Sequence, residues 1–134
     1  MKILDHNQSL AALAELPIVR LAGYDAERAA TYAVPLAFAL LDGAAVIAIA
    51  AQGRLARLLR AQRHGICLEA DEVAADLSFR SVIGSVRAEE QAEATPALVA
   101  LAARYGAEWG RWRPSGEVAA FRLDFTVLQG REKG

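Results

Sequence analysis

Apolar residues follow one another along much of this chain in short runs that are typical of β-strands. The clearest pair is Tyr32–Leu41 and Ala44–Ala51, separated by Asp42-Gly43. Asp-Gly is a preferred pair for the type I′ turn of a β-hairpin, so the two runs are predicted to be its strands. Neither run alternates strictly between apolar and polar residues. Both faces of each strand are therefore expected to be covered, as in a closed barrel with a dimer interface or a ligand outside it.

Four further segments have a strand-like composition, which brings the predicted number of strands to six: Ile18–Ala22, Ile66–Val73, Leu77–Glu90 and Glu117–Leu128. Pro35 cannot donate a hydrogen bond within a sheet, so it marks an edge, a bulge or a gap. Gly84 interrupts the longest of these segments and is expected to let that strand bend sharply. The sequence therefore predicts a mostly β protein, a small antiparallel barrel with helices at its openings.

Three segments are predicted to be helical. Ser9 is the expected N-cap of Leu10–Leu16, and Thr95-Pro96 provides an N-cap and a first-turn proline for a later helix. Between them, Arg54–Arg63 places leucines on one side and arginines on or beside the other. We expect residues 1–134 to form one domain, with its N-terminal helix within residues 1–16 and a loose polar tail at 130–134.

Composition and charge narrow the possible partners. The chain is 54% hydrophobic and carries a formal net charge of −1, which is unlike a basic protein that binds nucleic acid. Its start lacks the apolar region of a signal peptide, and the apolar stretch Ala29–Leu41 is too short to span a bilayer. The single cysteine, Cys67, lies in an apolar run and is predicted to be a buried structural thiol. We expect a cytoplasmic protein without a nucleic-acid or membrane partner.

The segment that most suggests chemistry is Gly53–Arg60, in which a glycine is followed by three arginines at the start of a helix. Unpaired backbone N–H groups and fixed positive charge together suit a phosphate. The alternative is a surface helix whose arginines are only solvated. The residues of this segment alone do not decide between the two.

Two other groups of residues carry a functional and a structural interpretation. Trp109 and Trp112 flank Gly110-Arg111 in a predicted loop, where they either form an aromatic lid over a ligand or pack the barrel mouth or a dimer seam. Glu69 and Asp71 are expected on one face of a strand with Glu72 beside them. No histidine lies nearby in the sequence, so a solvated strand edge is favoured over a metal site.

Several short motifs occur in an order and spacing that resemble a known family: Val34-Pro35-Leu36-Ala37-Phe38, Asp42-Gly43, Gly53-Arg54, Leu58-Leu59-Arg60, Cys67-Leu68-Glu69-Ala70-Asp71-Glu72-Val73, Arg80-Ser81-Val82 and Arg87-Ala88-Glu89-Glu90. Together they resemble the pyridoxamine 5′-phosphate oxidase-like flavoproteins, and within these the nitroimidazole-resistance type. The resemblance covers roughly residues 30–92.

This resemblance implies an antiparallel split barrel that binds FMN and works as a homodimer. It implies that the phosphate is held by the turn at Gly53-Arg54 and by Arg80 with Ser81, and that the isoalloxazine ring lies along the hairpin strands. With Arg57 one turn along the helix and Trp109 from the aromatic loop, the candidate cofactor-binding residues are Val34, Pro35, Leu36, Ala37, Ile49, Ala50, Ala51, Gly53, Arg54, Arg57, Arg80, Ser81 and Trp109. No catalytic side chain is implied, because the flavin carries the chemistry.

The chain departs from the family pattern at Leu55, where a lysine commonly follows the Gly-Arg pair. Two functional hypotheses therefore remain. The first is an FMN-dependent oxidoreductase acting on a small molecule. The alternative is a split-barrel ligand-binding or dimerisation module that has lost FMN and has no catalytic activity.

Overall fold

Eight β-strands form one antiparallel sheet. The computed structural model describes all 134 residues. The strands are β1 Lys2–Leu4, β2 Val19–Asp25, β3 Ala30–Leu36, β4 Ala39–Leu41, β5 Ala44–Ala50, β6 Ile66–Val73, β7 Phe79–Glu90 and β8 Val118–Lys133. The helices are α1 His6–Glu15, α2 Arg54–Ala61, α3 Thr95–Tyr105 and the short α4 Trp109–Trp112, which follows a 3₁₀ turn at Gly106–Glu108. None of the helices has the length and apolar composition that crossing a membrane requires.

The sheet is curved but not closed. Its strand order is β3-β2-β6-β7-β8-β5-β4, with β1 added to β8, so that β3 and β4 are the two ends. The predicted mostly β split barrel is confirmed, but the predicted number of six strands is wrong. β1 is additional, and the first hairpin run divides into two strands.

That division occurs at Ala37-Phe38, where the chain changes partner. β3 pairs with β2 as far as Leu36, and β4 pairs with β5 from Ala39. The predicted hairpin therefore consists of β4 and β5 alone. Asp42 and Gly43 connect them with φ angles of 52° and 78°, the positive values that a type I′ turn requires.

The core has two parts, which lie on opposite faces of β5. Ala45, Ile47 and Ile49 point into the main core inside the barrel. Val46 and Ala48 belong to a smaller outer cluster that also contains Leu101 of α3 and Trp109. The expectation that both faces are covered is correct for β5, but the cover is this chain's own α3 segment. Neither a dimer partner nor a ligand is needed to explain it. The expectation is wrong for β3, where Ala33 and Pro35 are exposed.

The two ends of the chain are tied together. Asp5 caps α1 in a capping box with Gln8, which places Ser9 inside the helix and corrects its predicted role as the cap. The buried Ser9 hydroxyl instead accepts a hydrogen bond from the backbone N–H of Gly130 at 2.8 Å. The tail expected to be loose at 130–134 is an ordered part of β8 as far as Lys133, because it pairs with both β1 and β7.

The predicted burial of Cys67 is also wrong. In β6, Ile66 and Leu68 point into the core, and alternation along the strand turns Cys67 outward to an exposed position. An apolar run in the sequence does not reveal which of its members faces solvent.

Candidate functional site

A cleft of about 320 Å³ opens where the sheet is split, between β3 and β5. Its lining is mostly apolar and consists of Tyr32, Val34, Pro35, Leu36, Ala37, Ala48, Ile49, Ala50, Gly53, Arg54, Leu55, Trp109, Trp112 and Pro114. Nine of the thirteen residues expected at a cofactor site are therefore brought together here. The other four, Ala51, Arg57, Arg80 and Ser81, lie outside the lining.

The free edges of two strands border this cleft. β3 pairs only with β2, and the segment 47–50 of β5 pairs only with β8. An edge strand leaves half of its backbone N–H and C=O groups without a strand partner. The cleft therefore combines apolar side chains with backbone hydrogen-bonding groups along its sides.

One end of the cleft is formed by the start of α2. Gly53 is the N-cap and has no side chain to bond to the first N–H groups of the helix, which no other side chain caps either. Leu55 and Leu58 are buried and hold the helix against the barrel. The first turn therefore presents unpaired backbone donors beside the guanidinium of Arg54.

Arg54 is held in place by two neighbours. Its Nε atom donates a 2.6 Å hydrogen bond to Oδ2 of Asp25 at the end of β2, and its guanidinium lies 3.9 Å from the ring centre of Tyr32. Asp25 is only 5% exposed. The hydrogen bond from Arg54 holds the pKa of this carboxyl below its ordinary value, although burial acts in the opposite direction. The positive charge at this end of the cleft is thus balanced within the chain.

The other arginines of α2 are also paired, so the interpretation that they are only solvated is not correct. Arg57 lies 3.4 Å from a carboxylate oxygen of Glu27, and its Nη1 donates to the carbonyl of Gln52 at 2.7 Å. Arg60 binds both carboxylate oxygens of Glu90, at 2.7 and 2.8 Å. Arg60 also donates to the carbonyl of Ala51, a buried residue of the main core.

Within one chain, the structure does not bring Arg80 and Ser81 to the cleft. Arg80 lies between Glu15 and Glu72, with N–O distances of 2.8 and 3.0 Å, and borders an open groove of about 900 Å³ next to the chain ends. Ser81 lines a shallow cavity of about 280 Å³ on the outside of the sheet. Asp76, four positions before Arg80, accepts hydrogen bonds from the backbone N–H and the hydroxyl of Ser78 and does not pair with Arg80.

The two tryptophans have different surroundings. Trp109 is 6% exposed and stacks on Tyr105, with ring centres 6.4 Å apart, so it packs in the outer cluster while also lining the cleft. Trp112 also lines the cleft but is 52% exposed. The aromatic segment is a helix and not a loop. Trp109 packs within the chain as the structural interpretation expects, and a lid over a ligand stays a prediction for the two indoles that border the cleft.

Two acidic residues of β6 pair with one arginine, and the third, Glu72, pairs with Arg80. Glu69 and Asp71 do share a face, and Nη1 of Arg20 lies 2.8 and 3.4 Å from their carboxylate oxygens. Burial, with Asp71 close by, raises the pKa of Glu69 above its ordinary value.

Sequence reasoning missed several residues of the site. Tyr32 lies just before the predicted ring-binding segment, and Trp112 lies one helical turn after Trp109, yet neither is among the predicted cofactor-binding residues. Asp25 gave no local signal, because its partner Arg54 is 29 positions away.

No protein-family model matches the chain, and no curated protein sequence matches it. Solved structures do. An FAD-binding protein from Mesorhizobium loti has a TM-score of 0.80 and 21% identity, covering 99% of this chain and 98% of that one. A proposed pyridoxamine 5′-phosphate oxidase from Corynebacterium glutamicum has a TM-score of 0.72 and 22% identity over 98% and 91%.

A haem storage protein from Vibrio cholerae is similar as well, with a TM-score of 0.73 and 16% identity over 93% of this chain and 94% of that one. At such identities the similarity concerns the fold. It confirms that this chain has the split-barrel fold of pyridoxamine 5′-phosphate oxidase-like proteins.

Proposed function

We propose that this protein binds a flavin nucleotide in the cleft between β3 and β5, and that the bound flavin serves the oxidation or reduction of a small molecule. The observation that carries the proposal is the composition of the cleft, an apolar slot that ends at Arg54 and the uncapped start of α2. Proteins of the same fold include an FAD-binding protein, which supports a flavin as the ligand.

The middle of the cleft suits the isoalloxazine ring. This ring is flat, with an apolar side and a polar edge. Val34, Leu36 and Ile49 supply apolar walls, and Trp112 supplies an exposed aromatic face. The free backbone groups of β3 and β5 supply donors and acceptors for the polar edge. FMN, the predicted cofactor, has this ring and a phosphate at a distance from it.

The end of the cleft suits a phosphate. The first N–H groups of α2 are unpaired, and Arg54 uses only its Nε atom in the bond to Asp25, which leaves its terminal nitrogens as donors. Arg54 is the one basic residue of the lining. Leu55, the next residue along the chain, adds no second positive charge. This end therefore holds an anion by hydrogen bonds more than by net charge.

A haem is less well suited to the same cleft. Haem iron is held by histidine, cysteine, methionine or tyrosine side chains. Of these the lining contains only Tyr32, whose ring lies 3.9 Å from the guanidinium of Arg54. His6 lies in α1 and His64 follows α2, both away from the lining. The residues of this chain favour a flavin over the haem of the structurally similar storage protein.

The bound flavin would supply the redox chemistry, as a carrier of hydride or of single electrons. The side chains of the lining include no carboxylate, histidine or cysteine. The contribution of this chain is therefore to bind the cofactor, to fix its phosphate at Arg54, and to exclude water with the apolar walls and the two indoles.

A homodimer formed through the outside of the sheet is part of the proposal. Small or apolar residues lie next to one another across five strands there, in the order Ala33, Ala22, Cys67, Ser85 and Val127. Ile83 and Val127 are 52% and 61% exposed on this surface. Large exposed apolar side chains on an accessible sheet surface are typical of a protein–protein interface. Two copies of the chain related by a two-fold axis would bring this surface against itself and bury it.

The flavin proposal is tested by adding FMN, FAD or haem to the purified protein and recording its visible spectrum after removal of free ligand. We expect flavin absorbance to remain with the protein and tryptophan fluorescence to be quenched. Ala50→Trp, which fills the cleft, should abolish retention, whereas Ala103→Trp on the exposed side of α3 should not. A protein that retains neither flavin contradicts the proposal.

The dimer is tested by light scattering during size-exclusion chromatography. We expect twice the 14.3 kDa mass of one chain for the native protein. The double variant Ile83→Glu, Val127→Glu should have the mass of one chain. Val99→Glu is the matched control, because Val99 is 62% exposed on α3, away from the proposed interface. A native protein with the mass of one chain would exclude this interface.

A further inference from the structure

A second cavity, of about 210 Å³, adjoins the cleft at Arg54. It is lined by Tyr24, Asp25, Ala26, Glu27, Arg54, Arg57, Leu58, Ala61 and Gln62. Arg54 is the one residue that lines both spaces. Its side chain, fixed by Asp25 and Tyr32, therefore forms the wall between them.

The volumes of the cleft and of the second cavity are those expected of two parts of one binding site. Pockets for small molecules typically measure about 300–1,000 Å³. The cleft lies at the lower end of that range and the second cavity lies below it. A ligand that occupies both lobes has to pass the start of α2, where the unpaired backbone donors are.

The second cavity has a fixed framework. One side is formed by the turn after β2, with Ala26 and Glu27, and the other side by Leu58 and Ala61 of α2. Oε1 of Gln62 accepts a 3.0 Å hydrogen bond from the backbone N–H of Tyr24, which ties the end of the helix to the strand. Tyr24 is 50% exposed and supplies an aromatic surface at this cavity.

The charges at the junction also favour a bridging ligand over one that ends there. A terminal phosphate carries nearly two negative charges at one point, but Arg54 is already balanced by the buried Asp25, and Leu55 adds no cation. A phosphodiester carries one charge per phosphate. Its second phosphate would lie towards Arg57, which follows Arg54 by three positions and so projects from the same side of α2. Nε and Nη1 of Arg57 are engaged by Glu27 and by the carbonyl of Gln52, so Nη2 is the donor left for this phosphate.

We propose that the cofactor is held as a flavin dinucleotide, with its ring in the cleft, its two phosphates at Arg54 and Arg57, and its nucleoside in the second cavity. This inference rests on the proposed flavin binding. Tyr24 offers a stacking surface to the purine base, and the exposed carboxylate of Glu27 offers an acceptor to the ribose hydroxyls.

The experiment compares the dissociation constants of FAD and FMN by quenching of tryptophan fluorescence. We expect FAD to bind at least about tenfold more tightly than FMN. Ala61→Trp fills the second cavity from an exposed position of α2, so it should weaken FAD at least about tenfold and change FMN by less than about twofold. Ala103→Trp, also at an exposed helix position, should change neither constant.

Each outcome separates the two proposals. If FAD and FMN bind equally and Ala61→Trp weakens neither of them, the dinucleotide is excluded while flavin binding stands. Equal weakening of both flavins by Ala61→Trp excludes it as well. If neither flavin binds the native protein, flavin binding itself fails. Should Ala61→Trp not fold, as judged by circular dichroism, Ala26→Trp fills the same cavity from the opposite side.

Discussion

The Oδ2 atom of Asp25 accepts a hydrogen bond from Nε of Arg54 at 2.6 Å, at the junction of the cleft and the second cavity. The bond joins the end of β2 to the start of α2. It fixes the position of the one basic side chain of the cleft and at the same time balances its charge. We therefore expect both the stability of the protein and the proposed flavin binding to depend on this pair.

The stability of the protein should depend on pH through Asp25. Arg54 lowers the native pKa of this carboxyl below its ordinary value of 3.8, so the stabilisation is present above that value and is lost as the pH falls through the lowered native pKa. Asp25→Asn removes the titrating group. The difference in unfolding free energy between native protein and variant should be largest near neutral pH and should shrink below pH 3.8.

Urea unfolding from neutral pH down into the acid range measures this difference. Glu93→Gln is the control, because Glu93 is exposed and has no ion-pair partner. A difference between native protein and Asp25→Asn that stays constant across the whole range would show that the ion pair does not contribute.

Loss of the Arg54 side chain should weaken flavin binding. A hydrogen bond to a charged group contributes about 1.5–3 kcal/mol, so Arg54→Ala should raise the dissociation constant by roughly ten- to a hundredfold. Arg63→Ala, an exposed arginine just beyond α2, should leave it unchanged. An unchanged affinity in Arg54→Ala would mean that the phosphate binds elsewhere.

The two tryptophans should differ when each is replaced by alanine. Trp109 is buried against Leu101 and Tyr105, so Trp109→Ala should reduce the unfolding free energy by about 3–5 kcal/mol. Trp112 is half exposed, and its replacement should change stability by less than about 0.5 kcal/mol. Trp112→Ala should nevertheless weaken flavin binding. Chemical denaturation and ligand titration of both variants measure the contrast, and equal stability losses would contradict it.

Gly84 should not tolerate a side chain. A Cβ atom there would lie 2.7 Å from the backbone oxygen of Val127 on β8, which cannot move without disturbing the sheet. We expect Gly84→Ala to destabilise the protein by about 1–3 kcal/mol. At Gly110 in α4 nothing lies within 4 Å of a Cβ atom, so Gly110→Ala should be neutral or slightly stabilising in thermal unfolding. The prediction fails if the two variants have the same midpoint temperature of thermal unfolding.

Local sequence patterns predicted those strands and turns whose ends are set by neighbouring residues in the chain. Ile66–Val73 has the predicted bounds, and the Asp42-Gly43 turn has the predicted conformation. The separation of β3 from β4 was not predictable in this way, because both are apolar and differ only in the strand with which they pair. The cover of β5 by α3 likewise depends on packing between segments that are far apart in the chain.

The same distinction applies to the candidate site. Residues next to Pro35 and Gly53 were found through the resemblance of contiguous motifs. Arg80 was predicted to bind the phosphate, but its side chain donates a hydrogen bond to Glu15, 65 positions away in the chain. Distant charge pairs of this kind leave no local pattern, so the sequence does not show which arginines are already occupied.

The long last strand has a consequence for how the chain reaches its fold. β8 is the partner of β1, β5 and β7, so it links pieces from the beginning and the middle of the chain. Until residues 118–133 are in place, β1 has no neighbour and the β4–β5 hairpin is not attached to the other strands. Pairings between such distant segments slow folding, and we expect the barrel to assemble late and cooperatively, in about milliseconds to seconds.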